Sequence, residues 1–307
     1  MKITSTNQAA PIITPANGAN NKSDKKVTEE VKAQAQSEKY STLSSQQKLT
    51  LIAKQFHLDK RVQQGKSERE SRFNRAQLRR QEGELIKQQN LENIMSLALD
   101  YVDSSNSMQD VDPDWLHQFF ELAERAYSEH MQALWGKILA IQVAKPGAFS
   151  LKSIKTLQQM TVKEAIALQH ACCLMCREKG EYGGRIISGY FKPVSLFGLL
   201  GKPSVNRVNL SSFGLSYPNL LTLIDLGLIY AVEIESGPIA NQKVVEFDAQ
   251  GKQLKLQCNQ GGAALQYYKF TQMGNELSKL IKVAPNASYY QHLASLFVPI
   301  FNFSIAS

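Results

Sequence analysis

Apolar residues from Asp112 to Gly180 recur at the spacing of one helix face, and residues suited to helix starts or breaks separate the stripes. Asp112 precedes Pro113, so a carboxylate is placed to accept the free amides of a first turn in which proline gives up nothing. Leu116, Phe119, Phe120, Ala123 and Tyr127 follow along one face. Ser128 offers a second cap ahead of Met131, Leu134, Trp135, Ile138 and Leu139. Pro146-Gly147 breaks the pattern, and Ser150 restarts it with Leu151, Ile154 and Leu157. Thr161-Val162-Lys163-Glu164 has capping-box spacing before Ala165, Leu168, Cys172 and Cys176. The pattern predicts four consecutive helices.

The flanks read differently. Residues 1–40 are rich in Asn, Ala, Thr, Ser, Gln and Lys without periodicity, the texture of a disordered tail. Ser44-Ser45-Gln46-Gln47 can cap a short amphipathic helix carrying Leu49, Ile52, Ala53 and Phe56. A basic run then leads to Leu91, Ile94, Met95, Ala98 and Val102, which predicts a helix from Lys66 to Val102 of about 55 Å at 1.5 Å per residue. Beyond Gly180, frequent Gly and Pro predict loops with one or two brief elements, and Ser216-Tyr217-Pro218 starts a helix closed by Gly227. Residues 228–235, 243–247, 252–257 and 265–270 read as strands, Thr271 caps a helix, and Ser288 begins the last one.

Two resemblances attach to these residues. Tyr127-Ser128-Glu129-His130-Met131-Gln132-Ala133-Leu134-Trp135-Gly136-Lys137-Ile138-Leu139-Ala140, with Pro146-Gly147-Ala148-Phe149-Ser150-Leu151-Lys152-Ser153-Ile154, resembles the signature of an uncharacterised bacterial family classed as a domain of unknown function. That group is similar to abortive-infection alpha-type proteins, which implies a link to phage defence. Its members often carry an acidic residue where this chain has Gln142. Leu223-Ile224-Asp225-Leu226-Gly227-Leu228-Ile229, the strands, and Phe270-Thr271-Gln272-Met273-Gly274-Asn275-Glu276-Leu277 resemble the end of a winged-helix domain. The helix from Tyr217 to Gly227 carries only Asn219, Thr222 and Asp225 as non-apolar positions of the kind that face outward, which argues against its reading a duplex.

Composition narrows the classes. A chain of 307 residues with 43% hydrophobic and 20% charged positions can bury a core. It shows no apolar leader and no membrane-spanning run, and four unpatterned cysteines fit a reducing compartment, so a cytoplasmic location is expected. The net charge of +8 is concentrated: Lys60, Arg61, Lys66, Arg69, Arg72, Arg75, Arg79 and Arg80 stand against only Glu68 and Glu70. On a helix Arg69, Arg72, Arg75, Arg79 and Arg80 fall within an arc of roughly 140° at 100° per residue. Such an arm would hold an acidic protein partner or, alternatively, a nucleic-acid backbone with low specificity. Phe73 alone interleaves with the arginines, which disfavours base stacking, and a solvated face is the plain alternative for any charge run.

Catalytic chemistry finds no foothold. There is no P-loop, no glycine fingerprint opening a helix after a strand, and no helical pair of histidines around a glutamate. Cys172, Cys173 and Cys176 with His170 and distant Cys258 could be imagined as zinc ligands, but Cys172 and Cys176 continue an apolar stripe and read as buried small hydrophobes. The sequence therefore predicts a non-enzymatic protein without a metal, cofactor or membrane site, with oligomeric state undetermined. Its expected architecture is mainly α with a small α+β module: a tail over 1–40, a short helix and long basic arm over 41–104, a helical core over 105–180 and a winged-helix-like domain over 181–307. The expected function is protein interaction or regulation.

Overall fold

The computed structural model describes residues 44–59, 69–102, 109–193, 204–298 and 300–305. The tail over residues 1–40, Lys60, Arg61 and Lys66 of the basic run, and the expected loop residues Gly198, Gly201 and Pro203 lie outside the described residues. The chain divides into two compact units, Met1–Gln89 and Asn90–Ser307. Helix α1 is Ser45–Gln55 and α2 is Arg69–Tyr101, within which the division falls.

The second unit opens with the apolar end of α2 and continues through α3 (Pro113–Ala123), α4 (Glu129–Ala144), α5 (Leu151–Gln159) and α6 (Val162–Leu174). Each of the four starts where its cap stands. Asp112 Oδ1 accepts from the amides of Asp114 and Trp115 at 2.8 and 3.0 Å. Ser128, Ser150 and Thr161 accept from the third residue into their helices, and the Glu164 carboxylate accepts in turn from the Thr161 amide. Trp135 lies edge-on to Phe119, with centroids 5.2 Å apart, and Trp115 stacks on the same ring at 5.1 Å. At Gly136 the α4 backbone comes so close to α2 that a Cβ there would stand 2.9 Å from Leu97 Cβ and 3.1 Å from the Ala98 amide nitrogen. Buried Gln132 joins the two helices by donating to Asn90 Oδ1 at 2.9 Å.

Among the described residues the rest of the unit is built around an antiparallel sheet of eight strands: β1 (Cys176–Glu178), β2 (Gly184–Lys192), β3 (Ser204–Arg207), β4 (Ile234–Glu235), β5 (Val244–Ala249), β6 (Lys252–Cys258), β7 (Ala264–Lys269) and β8 (Phe301–Ile305). Their order is β4-β7-β2-β1-β5-β6-β8, with β3 also on β2. Helices α7 (Tyr217–Asp225), α8 (Gln272–Ser278) and α9 (Ala287–Phe297) complete the unit, α7 and α8 packing on α6 and α9 on β8.

This architecture is α+β, and it corrects the expected mainly α chain with a small β module. The strands given to a winged-helix end do not form a separate wing, because the β5–β6 hairpin borders β1 on one edge and β8 on the other. Strand β2, nine residues long and in the middle of the sheet, falls in the stretch expected to be loops with only brief elements. Its glycines answer close packing instead of turning: a Cβ at Gly189 would lie 2.1 Å from the Asn206 carbonyl oxygen, and one at Gly184 would lie 2.3 Å from Met175 Sδ. Cys176, placed by periodicity on a helix, opens β1 instead, since α6 ends at Leu174.

Two buried charged groups find partners within this unit. The Arg185 guanidinium on β2, only 2% exposed, binds Glu178 and Glu181 at 2.5 Å each and lies 4.5 Å from the centre of the Tyr267 ring. The Glu276 carboxylate on α8 accepts from the Ser150 amide at 2.7 Å, the Ser150 hydroxyl at 2.8 Å and the Ser153 hydroxyl at 2.5 Å, all at the N-terminus of α5. A negative group there meets the unpaired amides and positive end of the helix.

Candidate functional site

The first unit offers a groove of about 580 Å³ between α1 and the arginine-bearing part of α2. Its α1 side is made by the way that helix ends. The His57 amide donates to the Lys54 carbonyl at 3.1 Å and the Leu58 amide to the Ala53 carbonyl at 2.7 Å, a Schellman pair that needs a left-handed residue between them. Here that residue is His57, with φ 54°, where glycine is usual. A side chain held in this conformation costs about 1 kcal/mol or more. The His57 ring Nε2 pairs with the Glu82 carboxylate of α2, which ties the turn to the arm. Phe56 and Leu58, on either side of His57, line the groove.

The other side is the arm. Arg72, Arg75 and Arg79 recur on one helix face together with Ala76, and all four line the groove. Arg80 is exposed and is not among the groove residues, and the side chain of Arg69 lies outside the described residues. Of the five arginines singled out by spacing, three are thus brought together. The sequence reading missed the contribution of Phe56, His57 and Leu58, whose signal was a histidine directly after a short amphipathic helix.

Apolar exposure surrounds this basic surface. Leu49 is 67% exposed, Phe73 69% and Leu85 70%, while Ile52, Phe56, Leu58 and Leu78 are each about half exposed. The stripe that predicted α1 as amphipathic therefore has Ala53 as its one buried member among the described residues. Concentrated exposure of this kind marks contact surfaces.

The cysteine group behaves as a piece of core. Cys172 and Cys176 are buried, which pushes both thiols up to about 12 and leaves them protonated at neutral pH. Half-buried Cys173 is raised by the same cause. Among the described residues, no group of three or more His, Cys, Asp or Glu side chains is placed to hold a metal ion. No described helix is long and apolar enough to cross a membrane. Gln142 accepts the Phe149 amide at 3.0 Å through Oε1. That contact closes the loop before α5, and a carboxylate could make it equally well.

Residues 74–294 match the family model described as Protein of unknown function (DUF2806). The chain belongs to this family. No curated protein and no solved structure matches it. The DUF2806 region takes in the second unit up to Ala294 and the stretch of arm holding Arg75, Arg79 and Arg80. It begins after Arg69 and Arg72 and leaves out α1, so part of the groove is built by residues that precede the family match. Family membership names no activity.

Proposed function

We propose that this DUF2806 protein is a cytoplasmic, non-enzymatic interaction protein whose basic arm docks an acidic, amphipathic segment of another protein. The observation that carries the reading is the coincidence of charge and apolar exposure on one unit: Arg72, Arg75 and Arg79 share a groove with half-exposed Phe56 and Leu58. An amphipathic partner with carboxylates opposite the arginines and apolar side chains opposite Phe56 and Leu58 covers both kinds of surface. A nucleic-acid backbone answers only the arginines and leaves the apolar groups in water. Low-specificity nucleic-acid binding is therefore the second reading, favoured by the arginine alignment alone. A phage-defence setting has its support in sequence resemblance only.

The test is capture from cell extract with the whole chain as bait, with and without nuclease digestion. The proposal expects an acidic protein retained at equal yield after digestion, and lost when Arg72, Arg75 and Arg79 are changed to Gln. Capture that disappears with the nucleic acid would move the assignment to the second reading.

A further inference from the structure

A second basic surface, remote in sequence from the arm and wholly within the second unit, has a different shape. Where β1, the β5–β6 turn and the chain following α8 meet, a hollow of about 690 Å³ is lined by Arg177, Gln250, Ser278, Lys279, Lys282 and the apolar pair Ile281 and Val283. The Arg177 guanidinium is oriented by donating through Nη2 to the Ser278 hydroxyl at 3.2 Å. Lys279 is anchored by donating to the Ala148 carbonyl at 2.8 Å, and Lys137, near Lys282, by donating to the Leu280 carbonyl at 2.7 Å.

The acids in the neighbourhood are engaged elsewhere. Asp248, the cross-strand partner of Arg177, accepts the Gly251 amide at 2.7 Å, Glu178 binds Arg185, and Glu276 is held by Ser150, Ser153 and Gln272. Among the described residues, none of Arg177, Lys279, Lys282 and Lys137 forms an ion pair. The cations also act on one another. Burial lowers the Lys137 ammonium and Lys282 lowers it further. Burial likewise lowers Lys279; Glu276 opposes this, and Lys145 and Arg177 add to the lowering.

Cations gathered in excess of the carboxylates around them repel one another, and an anion placed among them lowers that cost while gaining a planar guanidinium fork and ammonium donors. We propose that this hollow binds a phosphate-bearing small molecule. Its volume lies in the range of about 300–1,000 Å³ usual for ligand sites. Ile281 and Val283 give an organic body a surface to cover, which favours a phosphate ester such as a nucleotide over the free anion.

The experiment is calorimetric titration of the whole chain with ATP and, separately, with inorganic pyrophosphate, both without divalent metal, at low salt. Saturable one-site binding is expected, with ATP the tighter probe. Equal affinities would keep the phosphate site and assign it to the free anion. Lys282→Gln, which removes an exposed charge that makes no hydrogen bond within the protein, should weaken ATP binding about tenfold, and Lys279→Gln with Lys282→Gln by more. Changing Arg72 and Arg79 to Gln should leave this affinity unaltered. The proposal is overturned if neither probe gives saturable binding, or if the Lys282 variant, unfolding at the parental midpoint, binds ATP as tightly as the parent.

Discussion

Trp135→Ala is expected to lower the unfolding free energy of the second unit by about 3–5 kcal/mol, the usual loss when a large aromatic is removed from a core. Trp135 is 1% exposed, and its ring meets Phe119, which in turn carries Trp115 and Phe120. Removing it opens a cavity between α3 and α4 that Gly136 cannot close by sliding, because the adjoining backbone of α2 is already in contact. For a unit of this size the thermal midpoint should fall by roughly 6–20 °C. A midpoint equal to the parent's would place Trp135 on a surface and contradict the packing described.

Glu276→Ala should cost about 3 kcal/mol, since it strands the Ser150 and Ser153 donors away from water. Burial of the Glu276 carboxyl pushes its pKa up, but the Ser150 amide, the Ser153 hydroxyl, Gln272 and the Ser150 hydroxyl more than offset this, and the result lies below the ordinary 4.5. A carboxyl depressed in the folded state takes up its proton more readily when unfolded. Its contribution is therefore complete above the unfolded pKa and fades as pH falls through the folded one. Urea midpoints of parent and Glu276→Gln should differ most near neutral pH and converge as the solution is acidified below 4.5. Parallel pH profiles would show that the carboxylate charge contributes nothing to the clamp.

What the sequence made legible was local. Asp112, Ser128, Ser150 and Thr161 cap helices at the expected places because a cap is decided by the residue and the few amides after it. The β5–β6 hairpin was legible for the same reason: Gln250 and Gly251 both take positive φ in a two-residue turn. Strand β2 was hidden because Gly184 and Gly189 are needed against Met175 and Asn206, contacts that no local pattern announces. The arm followed from arginine spacing, whereas the hollow needed Arg177 beside Lys279 and Lys282, a hundred residues further on. Periodicity also exaggerated burial. The apolar face of α1 was read as a packed stripe, and its exposure is what now recommends the first unit as a contact surface.

The most direct test of the docking claim is a salt titration of the captured partner against the parent and a variant with Arg69, Arg72, Arg75 and Arg79 changed to Gln. Gln keeps nearly the helix propensity of Arg, and at exposed positions such as Arg72 and Arg79 a substitution shifts stability by no more than about 0.5 kcal/mol. The account predicts that the parent's affinity falls only moderately with salt, because apolar contact persists when charge is screened, and that the variant binds more weakly than the parent at low salt, the two converging as salt rises. A variant that binds as tightly as the parent at every salt concentration would contradict it, as would a parent whose log–log slope of roughly −4 to −5 marks phosphate neutralisation by the arm.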